Sequence, residues 1–156
     1  MENNYSALTF RQKIVAHLLQ ITDAKLHALQ IELDEIAISI SNETKSTAGD
    51  KYETSRAMLQ IEQVQLNKQK LNILEQKTMI NSIDTELILP AIGIGSLVKT
   101  NHGYLFLSIG LGKIMVDETP VVILSLLSPL GKLLGGLKVN DQFSFLETNY
   151  TIEALH

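Results

Sequence analysis

The 156-residue chain has no cysteine, no tryptophan and only three prolines. Without cysteine it has neither a disulfide framework nor a thiolate zinc site. Its four histidines, at positions 17, 27, 102 and 156, lack the spacing of two ligands one helical turn apart, so a histidine metal site is not favoured. The absence of cysteine fits a reducing cytoplasm, which is the compartment we expect.

Long apolar runs and an excess of basic charge are also missing. The runs "LILPAIGIGSLV" and "TPVVILSLLSPLG" are shorter than the roughly 18 apolar residues needed to span a bilayer. The opening "MENNYSALTFRQK" lacks the basic-then-apolar order of a signal peptide. The formal net charge of -4 disfavours autonomous binding to nucleic acid. We therefore expect a soluble protein with no membrane partner.

Helix-compatible residues dominate from position 8 to about 80, where there is no proline and only one glycine, Gly49. Apolar positions alternate in steps of three and four, the seam pattern of a coiled coil. Before the bend these positions are Leu19, Thr22, Leu26, Leu29, Leu33, Ile36 and Ile40. After it, Leu59, Leu66, Ile73 and Ile80 recur every seven residues. Two seams around one glycine-containing bend predict an antiparallel hairpin, with a bundle fragment or a parallel dimeric coil as alternatives.

The pattern changes beyond Pro90, where short β-prone runs replace the heptads. "SLVKT" and "YLFLSI" flank a turn at 101–103, "KIMV" and "VVILSLL" follow, and "QFSFLE" and "YTIEAL" flank a turn predicted at Thr148–Asn149. "SPLGKLLGG" predicts a short helix that Ser128 caps, Pro129 begins and Gly135 or Gly136 caps at its C-terminal end. The expected class is α+β: a coiled-coil hairpin over 1–82 with its tip at 43–53, a linker over 83–94, and a small antiparallel β domain over 95–156.

The segment "SPLGKLLGGLKVND", residues 128 to 141, resembles the C-terminal signature of the Gre transcript-cleavage factors. Asn140 stands where that family usually has glycine, and both residue types accept left-handed backbone. The order of a coiled coil followed by an FKBP-like domain is similar too. The resemblance implies a protein that binds bacterial RNA polymerase and docks through the residues of this motif, which here are Ser128, Pro129, Leu130, Gly131, Leu134 and Gly135.

The bend "SNETKSTAGDKYETSR" contains the acidic spacing that the family carries at its coil tip. Asp50 and Glu53 match an Asp-x-x-Glu pattern, although Thr54 follows where asparagine is usual and Tyr52 lies inside the motif. Glu43, on the other limb, is a third candidate. The resemblance implies that these carboxylates help to hold a Mg²⁺ ion shared with the polymerase, since Mg²⁺ prefers oxygen ligands. The alternative interpretation is a helix cap, in which Asp50 and Glu53 satisfy first-turn N–H groups.

Three basic residues, Lys45, Lys51 and Arg56, accompany the acidic ones. They either contact nascent RNA near the polymerase active site or belong to an ordinary solvated loop. The function that the resemblance implies is stimulation of the polymerase's own RNA cleavage from within its secondary channel, by a monomer that has no cofactor of its own and is not an enzyme by itself. The alternatives are a Gre-like factor that occupies the channel without promoting cleavage, an FKBP-type prolyl isomerase, and a coiled-coil adaptor.

Overall fold

The computed structural model describes residues 2–44 and 49–156, with side chains described for residues 10–43 and 53–156. Two long helices, α1 (Glu2–Thr44) and α2 (Gly49–Asn81), precede six strands and a short helix, α3 (Pro129–Leu134). The predicted α+β class and order of elements are confirmed. The chain forms two compact units: Gln20–Thr78, called the hairpin unit below, and Met1–Leu19 with Met79–His156, called the sheet unit.

The hairpin unit is held by the seam that the sequence predicts. Leu29, Leu33, Ile36 and Leu66 are buried together, and Ile40, Leu59 and Ile73 pack against them. Thr22, the polar position of the predicted seam, is also buried, at 1% exposure. The alternating three- and four-residue spacing therefore reports the buried face of each helix correctly.

Polar contacts across the seam establish that α1 and α2 run antiparallel. The Ser55 hydroxyl donates to Glu43 Oε1 at 2.8 Å, and Lys70 Nζ donates to Gln30 Oε1 at 2.7 Å. Lys77 Nζ lies 2.6 Å from Asp23 Oδ1. From one contact to the next, the residue on α1 lies closer to the N-terminus and its partner on α2 lies closer to the C-terminus. The two helices therefore run antiparallel in a single register.

The sheet unit has one six-stranded sheet whose strand order is β3-β4-β2-β1-β6-β5. All neighbouring strands pair antiparallel except β2 and β4, which are parallel. The strands are β1 (Leu97–Thr100), β2 (Gly103–Leu107), β3 (Gly112–Val116), β4 (Thr119–Leu124), β5 (Gln142–Phe145) and β6 (Thr148–Leu155). The predicted hairpin around residues 101–103 is therefore present as β1 and β2.

The turn predicted at Thr148–Asn149 is wrong. β5 and β6 are joined at Leu146 and Glu147, whose φ angles are 46° and 63°, and Thr148 is already paired with Phe145. Thr and Asn favour turns, but the side chains on the two strands decide the register. Phe143 and Tyr150 are direct cross-strand partners with stacked rings whose centroids are 4.9 Å apart.

Both faces of the sheet are covered, since side chains that alternate along a strand point to opposite faces. On one face Leu97 and Phe106 share a buried cluster with Ile14, Leu18 and Ile80 of the long helices. Residues of the other face form a second buried cluster that includes Leu134 of α3; its strand members are Val98, Leu105, Leu107, Leu124 and Ile152. Ile14 and Leu18 of α1 are therefore part of the core of the sheet unit.

Arg11 occupies a buried position beside the segment between α2 and β1, with only 2% of its surface exposed. Its Nη1 donates to the carbonyls of Thr85 and Leu87 at 3.3 and 2.9 Å, and its Nη2 to those of Asp84 and Gly95 at 3.3 and 2.8 Å. Burial lowers the pKa of this guanidinium, and the nearby Asp84 carboxylate raises it. Three of these hydrogen bonds fix the predicted linker at 83–94 to α1, and the fourth holds Gly95, the residue that follows it.

The sequence predicts that the coiled-coil hairpin ends at residue 82 and that the β domain begins at residue 95. These boundaries separate segments that are expected to fold independently, and they stay a prediction.

Within the described parts of the chain, no helix combines the length and the apolar character that crossing a membrane requires.

Replacing Arg11 by methionine should lower the free energy of unfolding by about 3 kcal/mol or more, because several carbonyls lose their donor at once. Chemical denaturation followed by circular dichroism measures this change. Lys13→Met is the matched control, since Lys13 forms an exposed ion pair with Asp117 and such pairs contribute at most about 1 kcal/mol. Equal stability of the two variants would contradict the structural role given to Arg11.

His156 predicts a pH dependence of stability. Burial lowers the pKa of its imidazole, and Arg11 and Lys99 lower it further, so the folded protein favours the neutral ring. The unfolded chain takes up a proton near pH 6.5 and then binds more protons than the folded state, so stability falls as the pH drops below about 6.5. His156→Gln should lose less unfolding free energy than wild type between about pH 7.5 and about pH 5.5. Parallel pH profiles would refute this assignment.

Candidate functional site

The candidate site is the bend of the hairpin unit, which lies between the end of α1 at Thr44 and the start of α2 at Gly49. Of the predicted carboxylates, Glu43 lies in the last turn of α1, and Glu53 in the first turns of α2 with its side chain exposed. The backbone of Asp50 and Lys51 is helical. The side chains of these two residues, and Lys45 as a whole, lie outside the described residues. Arg56 is exposed on α2.

Glu43 is the predicted site residue whose contacts the structure defines. One carboxylate oxygen accepts the hydrogen bond from Ser55 across the hairpin. The other oxygen, Oε2, is buried and has no hydrogen-bond donor among the described residues. This arrangement fixes the carboxylate through one oxygen and buries the second without a hydrogen bond from the described residues.

The position of Glu43 works against the helix that carries it. A negative charge at a helix C-terminus meets the negative end of the macrodipole, an unfavourable interaction of about 0.3–1 kcal/mol. The last turn of α1 contains no basic residue to offset it. Asp50 and Glu53, by contrast, lie near the N-terminus of α2, where acidic residues are favourable. The stability of the helices therefore explains Asp50 and Glu53 but not Glu43.

Ser55 is a site residue that the sequence reasoning missed. The sequence contained enough information to predict its contact with Glu43, because antiparallel pairing of the two predicted seams brings the residues on either side of the bend together. The hydroxyl is a hydrogen-bond donor suited to a carboxylate. Ser55 thus acts as a positioning residue for Glu43.

The tip does not by itself form a complete metal site in the described part of the chain, where no group of three or more His, Asp or Glu side chains is close enough to hold an ion. Among the described residues, Glu43 has one buried oxygen without a hydrogen-bond donor, and a single carboxylate fits the way Mg²⁺ is often held, with waters and phosphates completing the shell. The residues therefore fit a partial ligand set rather than a resident metal.

The predicted docking motif contains residues that build α3. Ser128 caps the helix by accepting from Gly131 N at 3.0 Å, and Pro129 begins it. Leu134 is fully buried, and Gly135 caps the C-terminal end. Asn140 has a φ of 75°, as expected for a residue that replaces glycine. These predicted cap assignments are confirmed.

Gly131 is required by close packing. A Cβ atom at this position would lie 1.9 Å from the carbonyl oxygen of Ser125 and 2.8 Å from Leu126 Cα. Both neighbours are backbone atoms, which cannot move aside without rearranging the turn before α3. Close packing at the start of α3 is therefore a structural reason for the glycine at position 131 of the motif.

Apolar side chains beside the motif remain open to solvent. Leu127 is 82% exposed and Leu133 is 44% exposed. Pro129 is exposed as well, and Leu130 is half-buried. These four residues are called the α3 surface below.

Comparisons with protein-family models, curated proteins and solved structures find no match to this chain.

Gly131→Ala should destabilise the sheet unit strongly, by about 3 kcal/mol or more, because the added methyl overlaps backbone atoms. Gly135→Ala is the matched control. Its added Cβ would meet Leu126 Cδ2 at 3.5 Å, an ordinary contact, so its effect should stay within about 1 kcal/mol. Thermal unfolding of the two variants decides the point. If Gly131→Ala is as stable as Gly135→Ala, the glycine is needed for something other than packing.

Proposed function

We propose that this protein is a Gre-like factor that binds bacterial RNA polymerase, inserts the bend of its hairpin into the secondary channel and stimulates the polymerase's cleavage of backtracked RNA. The observation that carries the proposal is the antiparallel hairpin with acidic residues on both limbs beside its bend. A limb of 25 helical residues, 20 to 44, is about 37 Å long at 1.5 Å per residue. This length suits the delivery of carboxylates into a narrow channel.

The tip residues have distinct parts in this proposal. Asp50, Glu53 and Glu43 supply carboxylate oxygens toward a Mg²⁺ ion that the polymerase also holds, and Ser55 keeps Glu43 in place. The ion's chemistry is to activate the water that cleaves RNA. Lys45, Lys51 and Arg56 add positive charge that favours nascent RNA phosphates. The protein supplies ligands and position, and the catalytic machinery is the polymerase's.

The sheet unit supplies the affinity for polymerase in this proposal. The α3 surface offers exposed apolar side chains next to a rigid, capped helix, as protein interfaces often do at their centre. Ser128, Gly131 and Leu134 contribute indirectly, because they hold that helix in place. A cytoplasmic location follows from a polymerase partner.

A second function is favoured by one specific observation. The tip departs from the family pattern at Thr54 and Tyr52, so the hairpin would occupy the channel without promoting cleavage. Such a factor would compete with substrates and other channel-binding factors. The two functions share polymerase binding and differ only in the chemistry of the tip.

The test is a set of charge-removing substitutions at the tip, assayed on backtracked transcription complexes. Asp50→Asn, Glu53→Gln and Glu43→Gln should each reduce stimulated cleavage at least tenfold while binding stays unchanged, because an amide keeps the shape but loses the charge that holds Mg²⁺. Asn still caps a helix well, so Asp50→Asn separates capping from metal binding. Glu43→Gln should preserve or slightly raise helix stability, since it removes charge from a helix C-terminus.

Titration of Mg²⁺ adds a second measurement, because a lost ligand raises the metal concentration required before it removes activity. Glu32→Gln, an exposed carboxylate away from the bend, is the control and should behave as wild type. Wild-type protein that binds polymerase but stimulates no cleavage at any Mg²⁺ concentration would favour the channel-occupying function. Protein that fails to bind polymerase would refute both.

A further inference from the structure

The hairpin unit exposes apolar side chains on the faces directed away from its seam. On α2, Ile61, Val64 and Leu71 are 59%, 68% and 62% exposed. On α1, Ile31 and Ile38 are 46% and 61% exposed. Single exposed apolar residues need no explanation, but regularly spaced ones on a helix form a surface.

These residues lie opposite the seam at heptad spacing. Ile31 and Val64 each precede a buried seam residue, Leu33 or Leu66, by two positions. At about 100° per residue, two positions place them about 160° away from that seam residue. Ile38 and Leu71 follow seven residues later on each helix. Each helix thus carries an outer stripe in addition to its seam.

The two outer stripes match one another position by position. Each residue of the α2 stripe lies 33 positions after its counterpart in the α1 stripe, as Val64 does after Ile31 and Leu71 after Ile38. The α1 stripe contains Ala24, Ala28, Ile31, Glu35 and Ile38; the α2 stripe contains Ala57, Ile61, Val64, Lys68 and Leu71. The charged residue occupies the same place in both, and its sign is opposite.

We propose that the outer stripe of α2 binds the outer stripe of α1 in a second copy of this protein, with the two helices parallel. In this register Lys68 faces Glu35 of the second copy, and aliphatic side chains face each other on both sides of that pair. A charged residue within an otherwise apolar seam specifies register and partner. This inference goes beyond the proposed function and does not rest on it.

Charge complementarity is the reason that a second copy is the occupant. Pairing α2 with α2 in the same parallel register would place Lys68 against Lys68, and pairing α1 with α1 would place Glu35 against Glu35. The α1 stripe has a negative charge and the α2 stripe has a positive charge at the matching position. Each stripe is therefore complementary to the other stripe of the same sequence. The contact joins two different surfaces of the same chain, so each copy in a dimer still has one unpaired stripe. Further copies therefore add to the dimer as the protein concentration rises.

The contact area limits the strength of this association. Five half-exposed aliphatic side chains on a pair of helices form a small interface by the standard of permanent dimers. The sequence alone predicts a monomer, and the protein should indeed be monomeric when dilute. The self-associated form should appear at higher protein concentration.

Sedimentation velocity on the full chain over a range of concentrations tests the inference. The weight-average mass of wild type should rise above 17.3 kDa with concentration and pass twice that value. Lys68→Glu and Glu35→Lys should each weaken association about tenfold, because an attraction becomes a repulsion. The double variant Lys68→Glu with Glu35→Lys should restore association to near the wild-type level, since the pair is only exchanged.

Glu62→Lys and Glu32→Lys are the matched controls, because both residues are exposed and lie outside the outer stripes. They should associate as wild type does, and circular dichroism should show equal helix content for every variant. Wild type that stays monomeric at all concentrations overturns the proposal. A double variant that associates no better than the single ones overturns the pairing of α2 with α1.

Discussion

The buried guanidinium of Arg11 is the interaction on which the sheet unit depends. The chain leaves α2 and reaches β1 through a segment whose carbonyls have no ladder to join, and buried carbonyls without donors are costly. Arg11 supplies donors to four of them from a single side chain. It comes from the turns of α1 between Phe10 and Leu19, so this part of the helix completes a segment that lies more than seventy residues later in the sequence. The same turns contribute Ile14 and Leu18 to the core against the sheet.

Local patterns in the sequence predicted most of the architecture because each has a direct physical cause. The heptad spacing identified the buried seam from Leu29 to Ile73, since periodicity reports which side of a helix is buried. Ser128, Pro129 and Gly135 identified α3, since their chemistry suits the ends of a helix. The buried role of Arg11 could not be predicted from such local patterns. Its partners are carbonyls, which every residue carries, and they are distant in the sequence.

The connection of β5 to β6 shows the limit of turn propensity. Thr148 and Asn149 have the composition of a turn, whereas Leu146 and Glu147 do not, yet the turn is formed by the latter pair at positive φ. The stacking of Phe143 on Tyr150 and the alternation of the strands fix the register, and the turn conforms to it. A left-handed leucine costs free energy that cross-strand packing offsets. Pairing between strands is therefore stronger evidence for register than the residues of the loop.

At the candidate site, physical reasoning and family resemblance favour different carboxylates. The resemblance selects Asp50 and Glu53, but acidic residues at that place also stabilise the start of α2, so folding alone accounts for them. Glu43 lies at the unfavourable end of α1, and its carboxylate is held by Ser55 with one oxygen free of donors among the described residues. A residue that opposes local stability and is nevertheless fixed in position is a stronger sign of function than one that every helix start favours. Within the proposed function, Glu43 is therefore the carboxylate that the stability of its own helix does not explain, and both limbs of the hairpin supply carboxylates, rather than α2 alone.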